Sequence, residues 1–290
     1  MRILLDSRDL IEVAEHQRKV RIEQFNKFLR DNDHELVLCA STVREICSPL
    51  AHGASFTDAI RPILQAIETL PRLYLSEVTI FGSEFQAAIN AFNDRAEYQS
   101  PSPYVPRWLD TLGGPRLDAD IVGLRLDDVI FYQYRSRFRD RIFGRRDNEL
   151  EILRQLLNQE RQSILNGQYR ARTHFSNSLI RNAARYGVRL PENTDGFVSS
   201  VYLDANRCPG YRLNHEVFRS LTKNANDNPE AGDFVDFALI STLPYVDAIT
   251  LDRRMRNYVA QASRKMRAVN AAVNYRNRVY EDVVELMRRL

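Results

Sequence analysis

Residues 233–255 read DFVDFALISTLPYVDAITLDRRM. Asp233 to Leu243 reads as a small apolar helix with an acid at its start, and Asp236 lies on its first turns. Val246 to Thr250, VDAIT, is a short apolar run with the length of a buried strand. Asp252 comes directly after and opens a second helix, expected over Asp252–Lys265, with Arg253 and Arg254 at its start. Helix, buried strand, helix is the unit that builds parallel sheets, because a parallel crossover needs a helix to return the chain to the same edge.

Working outward, the same unit recurs at both ends of the chain. Beyond Lys265, a strand is expected near Arg278 to Tyr280 and a helix from Asp282 to Leu290. At the N-terminus, Arg2 to Leu5 is an apolar run that stops at Asp6. A helical stretch from about Asp9 to Arg30 carries apolar residues at Leu10, Val13, Ala14, Val20, Phe25 and Leu29. Glu35 to Ala40, ELVLCA, is a second buried strand. Ser41 and Thr42 are of the type that caps a helix, with Glu45 on its first turn. Thr57 to Leu70 reads as a helix and Arg72 to Leu75 as a short strand. The expected fold is therefore α/β, a Rossmann-like, largely parallel sheet flanked by helices.

The middle of the chain interrupts this alternation. YQSPSPYVPRW, Tyr98 to Trp108, holds three prolines. Beyond Trp108 the chain reads as helix and loop, with clear helical spacing over Asp147–Leu165. The polar loop KNANDNPEAGD, Lys223 to Asp233, returns the chain to the first pattern. The expected organisation is a discontinuous domain over 1–98 and 229–290, with a large, mostly helical insertion over 99–228. That insertion is expected to add neither strands to the sheet nor metal ligands.

Composition sets limits on function. Hydrophobic residues make up 44% and the net charge is +3, so a sizeable core is possible and the total charge demands no polyanionic partner. The distribution says more. Arg125 to Arg185 holds about 13 arginines against about 7 acids, and 253–290 about 10 basic residues against 3 acids. Arginine's planar fork suits phosphate, although a single run of this kind is also what a solvated helix face looks like. The three cysteines, Cys39, Cys47 and Cys208, have no zinc-like spacing and suggest no disulfide framework. No leader segment is apparent, and no apolar run reaches the roughly 20 residues that span a bilayer. A cytoplasmic setting with no membrane partner is the expectation.

In open α/β sheets, ligands bind beyond the carboxyl ends of the strands. Asp6 ends the first strand, Glu45 lies on the helix after the second, Asp252 comes just after VDAIT, and Asp236 is on the helix that enters it. Each alone is an ordinary cap or first-turn acid. Together they would converge on one sheet edge, and two carboxylates at about 4 Å repel by roughly 4 kcal/mol at an effective dielectric near 20. A divalent cation relieves that repulsion. Oxygen-only ligation points to Mg2+ or Mn2+ rather than zinc. Asp233 competes with Asp236 for the third place, and Asp247 also lies near the strand. Arg8, Arg253 and Arg254 are candidate phosphate contacts.

Three stretches resemble one family. RILLDSRDLI is similar to the opening strand of PIN-like domain nucleases, STVREI to their Ser/Thr-x-x-x-Glu segment, and DFVDFALISTLPYVDAITLDRRM to their acid, apolar helix, strand and Thr-x-Asp. The resemblance covers about residues 1–95 and 230–290. It implies a metal-dependent endoribonuclease with Asp6, Glu45, Asp236 and Asp252 as catalytic and metal-binding acids. On the same resemblance Thr250 orients water or a carboxylate. It also implies an RNA partner, less often DNA, and is compatible with a toxin or defence role held in check by an inhibitory protein or with a homo-oligomer. Arg8 departs from the Asn common two residues after the first acid. The alternatives are a DNA-directed nuclease and a non-catalytic PIN-like module that binds nucleic acid or protein.

Overall fold

A computed structural model describes residues 1–15, 20–112, 125–135, 147–230 and 232–290. The first elements are β1 (Arg2–Leu4), α1 (Ser7–Ala14), α2 (Ile22–Asp31), β2 (Glu35–Cys39), α3 (Ala40–Ile46), α4 (Arg61–Glu68), β3 (Arg72–Leu75) and α5 (Ile80–Asn93). The middle contributes β4 (Tyr104–Val105), α6 (Leu126–Arg135), α7 (Asp147–Leu165), α8 (Ala171–Arg185), α9 (Thr194–Leu203) and α10 (Pro209–Lys223). The chain ends with α11 (Asp233–Thr242), β5 (Ala248–Thr250), α12 (Arg253–Arg267), β6 (Val279–Tyr280) and α13 (Val283–Arg289).

The six strands form one sheet in the order β4-β3-β2-β1-β5-β6. All neighbours run parallel except the β3–β4 pair. β1 is central, with Ile3 opposite both Leu36 and Ala248. Helices cover both faces, so the inner strands are buried on both sides and read as continuous apolar runs rather than as alternation. The two-residue period still sorts their side chains. Ile3, Leu5, Leu36, Leu38 and Ala248 join a core with Leu10 and Val13 of α1, Phe25 and Leu29 of α2, Leu64 of α4, and Val283 and Leu286 of α13. Leu4, Val37, Cys39, Leu75 and Ile249 point the other way, onto Leu213 and Val217 of α10, Leu239 and Ile240 of α11, and Val259 and Met266 of α12.

The α/β class, the parallel sheet and the helix Asp147–Leu165 agree with the sequence reading. Four local expectations are corrected. The expected helix over Asp9–Arg30 is two helices, with residues 16–19 outside the described residues. α3 starts at Ala40, straight out of β2, so Ser41 and Thr42 lie inside it and Glu45 falls in its last turn. Its early N–H groups are served from outside instead, by Glu77, whose Oε1 accepts from Ser41 N at 2.7 Å and from Ser41 Oγ at 2.5 Å. The helix expected from Thr57 begins with a wide turn, Phe56–Ile60, and becomes α-helical only at Arg61, where Pro62 suits a first turn and not an interior.

The fourth correction concerns 99–228. Its described residues are mostly helical, but it does add a strand: β4 extends the sheet, with Tyr104 opposite Leu75. Nor does it stand apart. Leu126, Val129 and Ile130 of α6 belong to the core under α4, and α10 belongs to the opposite core. α8 and α9 build a smaller core with Phe85 and Ile89 of α5. There Glu84, fully buried, accepts from Gly210 N at 2.6 Å, Tyr211 N at 2.9 Å and the Tyr245 hydroxyl at 2.6 Å, capping the start of α10. Arg137, Arg139, Arg141, Arg145 and Arg146 of the basic run lie outside the described residues. The three cysteines are buried and free. Among the described residues no helix is long and apolar enough to cross a membrane.

Candidate functional site

The carboxyl ends of β1 and β5 are adjacent because the strands pair, Leu4 opposite Ile249. Asp6 is the residue at which β1 turns into α1. It occupies the N-cap position, but its side chain makes no capping hydrogen bond. Its N–H donates to Thr250 Oγ1 at 2.8 Å, binding the two strand ends together. Two residues beyond Thr250, Asp252 caps α12, its Oδ1 accepting from Met255 N at 2.7 Å. Ser7, one residue after Asp6, donates from Oγ to Glu45 Oε2 at 2.5 Å and lies 3.3 Å from Asp6 Oδ1. The hydroxyl thus ties α3 to the end of β1.

Asp236, in the first turn of α11, is the meeting point. Burial and, after it, the negative charges of Asp6, Asp252, Glu45 and Asp233 together push its carboxyl up to about 8. Burial likewise raises Asp6, against the pull of Arg8 and Ser7. All four acids read from the sequence are therefore brought into one electrostatic neighbourhood. Asp233 is nearby but otherwise engaged. It is buried, accepts from Glu230 N at 2.9 Å, and is held by Arg254 through Nη1 and, at 3.0 Å, Nη2. Asp247 lies at the opposite end of β5, accepting from Arg2 N at 2.8 Å.

Arg8 and Arg253 are exposed. Arg8 donates to Glu281 O at 3.2 Å and is 3.5 Å from Asp9. Burial opposes its charge, but Asp9, Asp6 and Asp252 outweigh that and raise its pKa, which fixes it as a cation beside the acids. Arg254, expected as a third phosphate contact, grips Asp227 and Asp233 instead.

Sequence reading missed Ser7 and Asp9. Asp9 is wholly buried on the first turn of α1, and neither carboxylate oxygen has a hydrogen-bond partner of normal geometry. Burial raises it to about 6, with the Thr250 hydroxyl and Arg8 pulling back. The Thr250 oxygen accepts from Asp6 N, so its proton is available toward Asp9. The only signal in the sequence was the i, i+3 spacing of two acids at a helix start.

The donor set fits a hard divalent cation in chemistry and charge: oxygen ligands only, negative, and with carboxyls that resist ionising together. Among the described residues no group of three or more His, Cys, Asp or Glu side chains has the geometry of a preformed metal site. The fit is thus one of donor type and charge rather than of ready-made coordination. Comparison with protein-family models, with curated proteins and with solved structures gave no match.

Proposed function

We propose that this chain is a metal-dependent endoribonuclease of the PIN-like kind. The observation that carries the reading is geometric: Asp6 and Asp252 follow the paired strands β1 and β5, Thr250 ties those strand ends together, and Ser7 ties Glu45 to the same place, beside the raised carboxyl of Asp236. Of the four acids only Asp252 caps its own helix, so capping does not account for their convergence. Convergence of acids beyond the carboxyl ends of adjacent parallel strands is the placement of a ligand site in this fold class.

In this reading Asp6, Glu45, Asp236 and Asp252 would hold Mg2+ or Mn2+. The bound ion would activate water and offset charge developing on a phosphodiester, so no histidine base is required. Ser7 orients Glu45, Thr250 fixes the backbone at Asp6, and Arg8 and Arg253 offer positive charge to the nucleic-acid backbone. The test is cleavage of labelled single-stranded RNA and DNA with Mg2+ or Mn2+, comparing wild type with Asp6→Asn and Asp252→Asn. Loss of cutting in both folded variants is the expected result. Variants that cut like wild type would remove the acids from the chemistry. Cleavage of DNA alone would move the reading to a DNA-directed nuclease, and RNA binding with no cleavage under any metal would leave a binding module.

A further inference from the structure

The loop over residues 224–230 precedes α11, and α11 carries Asp236. It is pinned by two arginines from different parts of the chain. Arg254 of α12 reaches back with its whole fork. Nε lies 2.8 and 3.0 Å from the two carboxylate oxygens of Asp227, Nη2 donates to Asn228 O at 3.1 Å, and both terminal nitrogens engage the Asp233 carboxylate. Arg161 of α7 approaches from the other side. Its Nε donates to Thr222 O at 3.3 Å, and Nη2 donates to Asn224 O at 2.8 Å and to Asp227 O. Those carbonyls belong to the end of α10 and the start of the loop, where helical partners run out. The Tyr258 hydroxyl closes the arrangement on Asp227.

We infer that Arg254, with Asp227, Asp233 and Arg161, is a positioning latch that sets the start of α11 so that Asp236 meets Asp6, Glu45 and Asp252. Three features support it. Arg254 joins Asp227, before the turn, to Asp233, the first residue of α11, and Asp236 lies one turn further on. Asp233 and Arg254 are largely buried, with 2% and 20% of their side chains exposed, which makes this pair costly to break. Arg254 also occupies the first turn of α12, two residues after the Asp252 cap, so a single residue links the helices that carry two of the acids. Arg161 extends the latch to the central segment and gives that segment a part in the site without contributing a ligand. Groups that orient metal-binding carboxylates typically change metal affinity or activity 10–100-fold when altered.

The latch rests on the reading of the acids as a metal site, and the experiment separates the two. Mn2+ binding is measured by calorimetry on full-length wild type, Arg254→Lys and Asp227→Asn, alongside thermal melts. Affinity of a labelled RNA is measured for the same proteins in metal-free buffer. Lysine keeps the charge and loses the fork, so Arg254→Lys should weaken Mn2+ binding by about 10-fold or more, as should Asp227→Asn, with metal-free RNA affinity unchanged. Should either variant fail to fold, Tyr258→Phe removes one hydroxyl from Asp227, keeps the ring in the core, and should shift Mn2+ affinity in the same direction by a smaller factor. Folded variants that bind Mn2+ as wild type does, or that lose RNA affinity instead, overturn the latch. Wild type that takes up no Mn2+ overturns the reading of the site, and the latch with it.

Discussion

The backbone N–H of Asp6 donates to the hydroxyl oxygen of Thr250 at 2.8 Å, across 244 residues of sequence. Thr250 is fully buried, so water cannot replace that acceptor. Its hydroxyl also pulls back the carboxyl of Asp9 against the rise that burial causes. One side chain therefore fixes the backbone of one acid and acts on the carboxyl of another.

Thr250→Val keeps the shape and removes both interactions. It should cost about 1–3 kcal/mol of stability, the usual cost of leaving a buried donor unsatisfied. Urea unfolding of Thr250→Val and Thr250→Ser would measure it, the serine variant recovering most of the loss. A valine variant within a few tenths of a kcal/mol of wild type would show that the tie contributes nothing.

Asp9 and Asp236 imply a pH dependence. Both carboxyls are raised, to about 6 and about 8, from an ordinary value of 3.8. A carboxyl that is harder to ionise in the folded chain than in the unfolded one stabilises the fold while protonated, and that contribution is lost as pH rises from the unfolded value through the folded one. Metal-free protein should therefore lose stability from about pH 4 to about pH 8, by on the order of a few kcal/mol. Mg2+ should largely restore it. Melting temperatures across this range with EDTA and with Mg2+ would check it, and a metal-free protein that grew more stable toward pH 8 would contradict it.

Two buried acids should respond to amide substitution with opposite signs. Asp236 is surrounded by acids, so Asp236→Asn should stabilise metal-free protein at neutral pH while abolishing cleavage. Glu84 accepts from two backbone N–H groups and a tyrosine hydroxyl. Glu84→Gln turns an NH2 toward those donors and should destabilise by about 1–3 kcal/mol. Denaturant titrations of both variants decide this, and shifts of the same sign would mean the charges around Asp236 are not what raises it.

The strands could be placed because burial on both faces leaves continuous apolar runs, and Asp6 and Asp252 could be found because they end such runs. Asp9 could not, because an acid on a helix first turn is ordinarily a solvated partner of the helix dipole, and its complete burial comes from tertiary packing that has no local signal. Arg253 and Arg254 look equivalent as neighbours in sequence. Successive helical residues point about 100° apart, and what lies on each side is decided by the path of the loop over 224–230, which has no periodic signal. The two-residue β4 is too short to show any period, and the proline-rich entry and helical spacing of 99–228 gave no sign of a strand there.

The difference between those two arginines leads to a final expectation about substrate binding. A cluster of carboxylates repels phosphate, so an approaching strand needs positive charge outside the cluster. Arg8 is 55% exposed and held beside Asp6 and Asp252, and Arg253 is exposed at the start of α12. Both can meet a phosphate in a way that Arg254, enclosed by Asp227 and Asp233, cannot. Each phosphate contacted on a single strand contributes about −0.7 to the slope of log K against log salt. The double variant Arg8→Gln, Arg253→Gln should bind RNA more weakly regardless of base sequence and flatten that slope by about 1.4, as measured in binding isotherms at several salt concentrations with Ca2+ in place of Mg2+. Arg254→Lys should leave the slope where it is. If the double variant kept the wild-type slope, the strand would be drawn in by other charges, and these two arginines would not form its path to the acids.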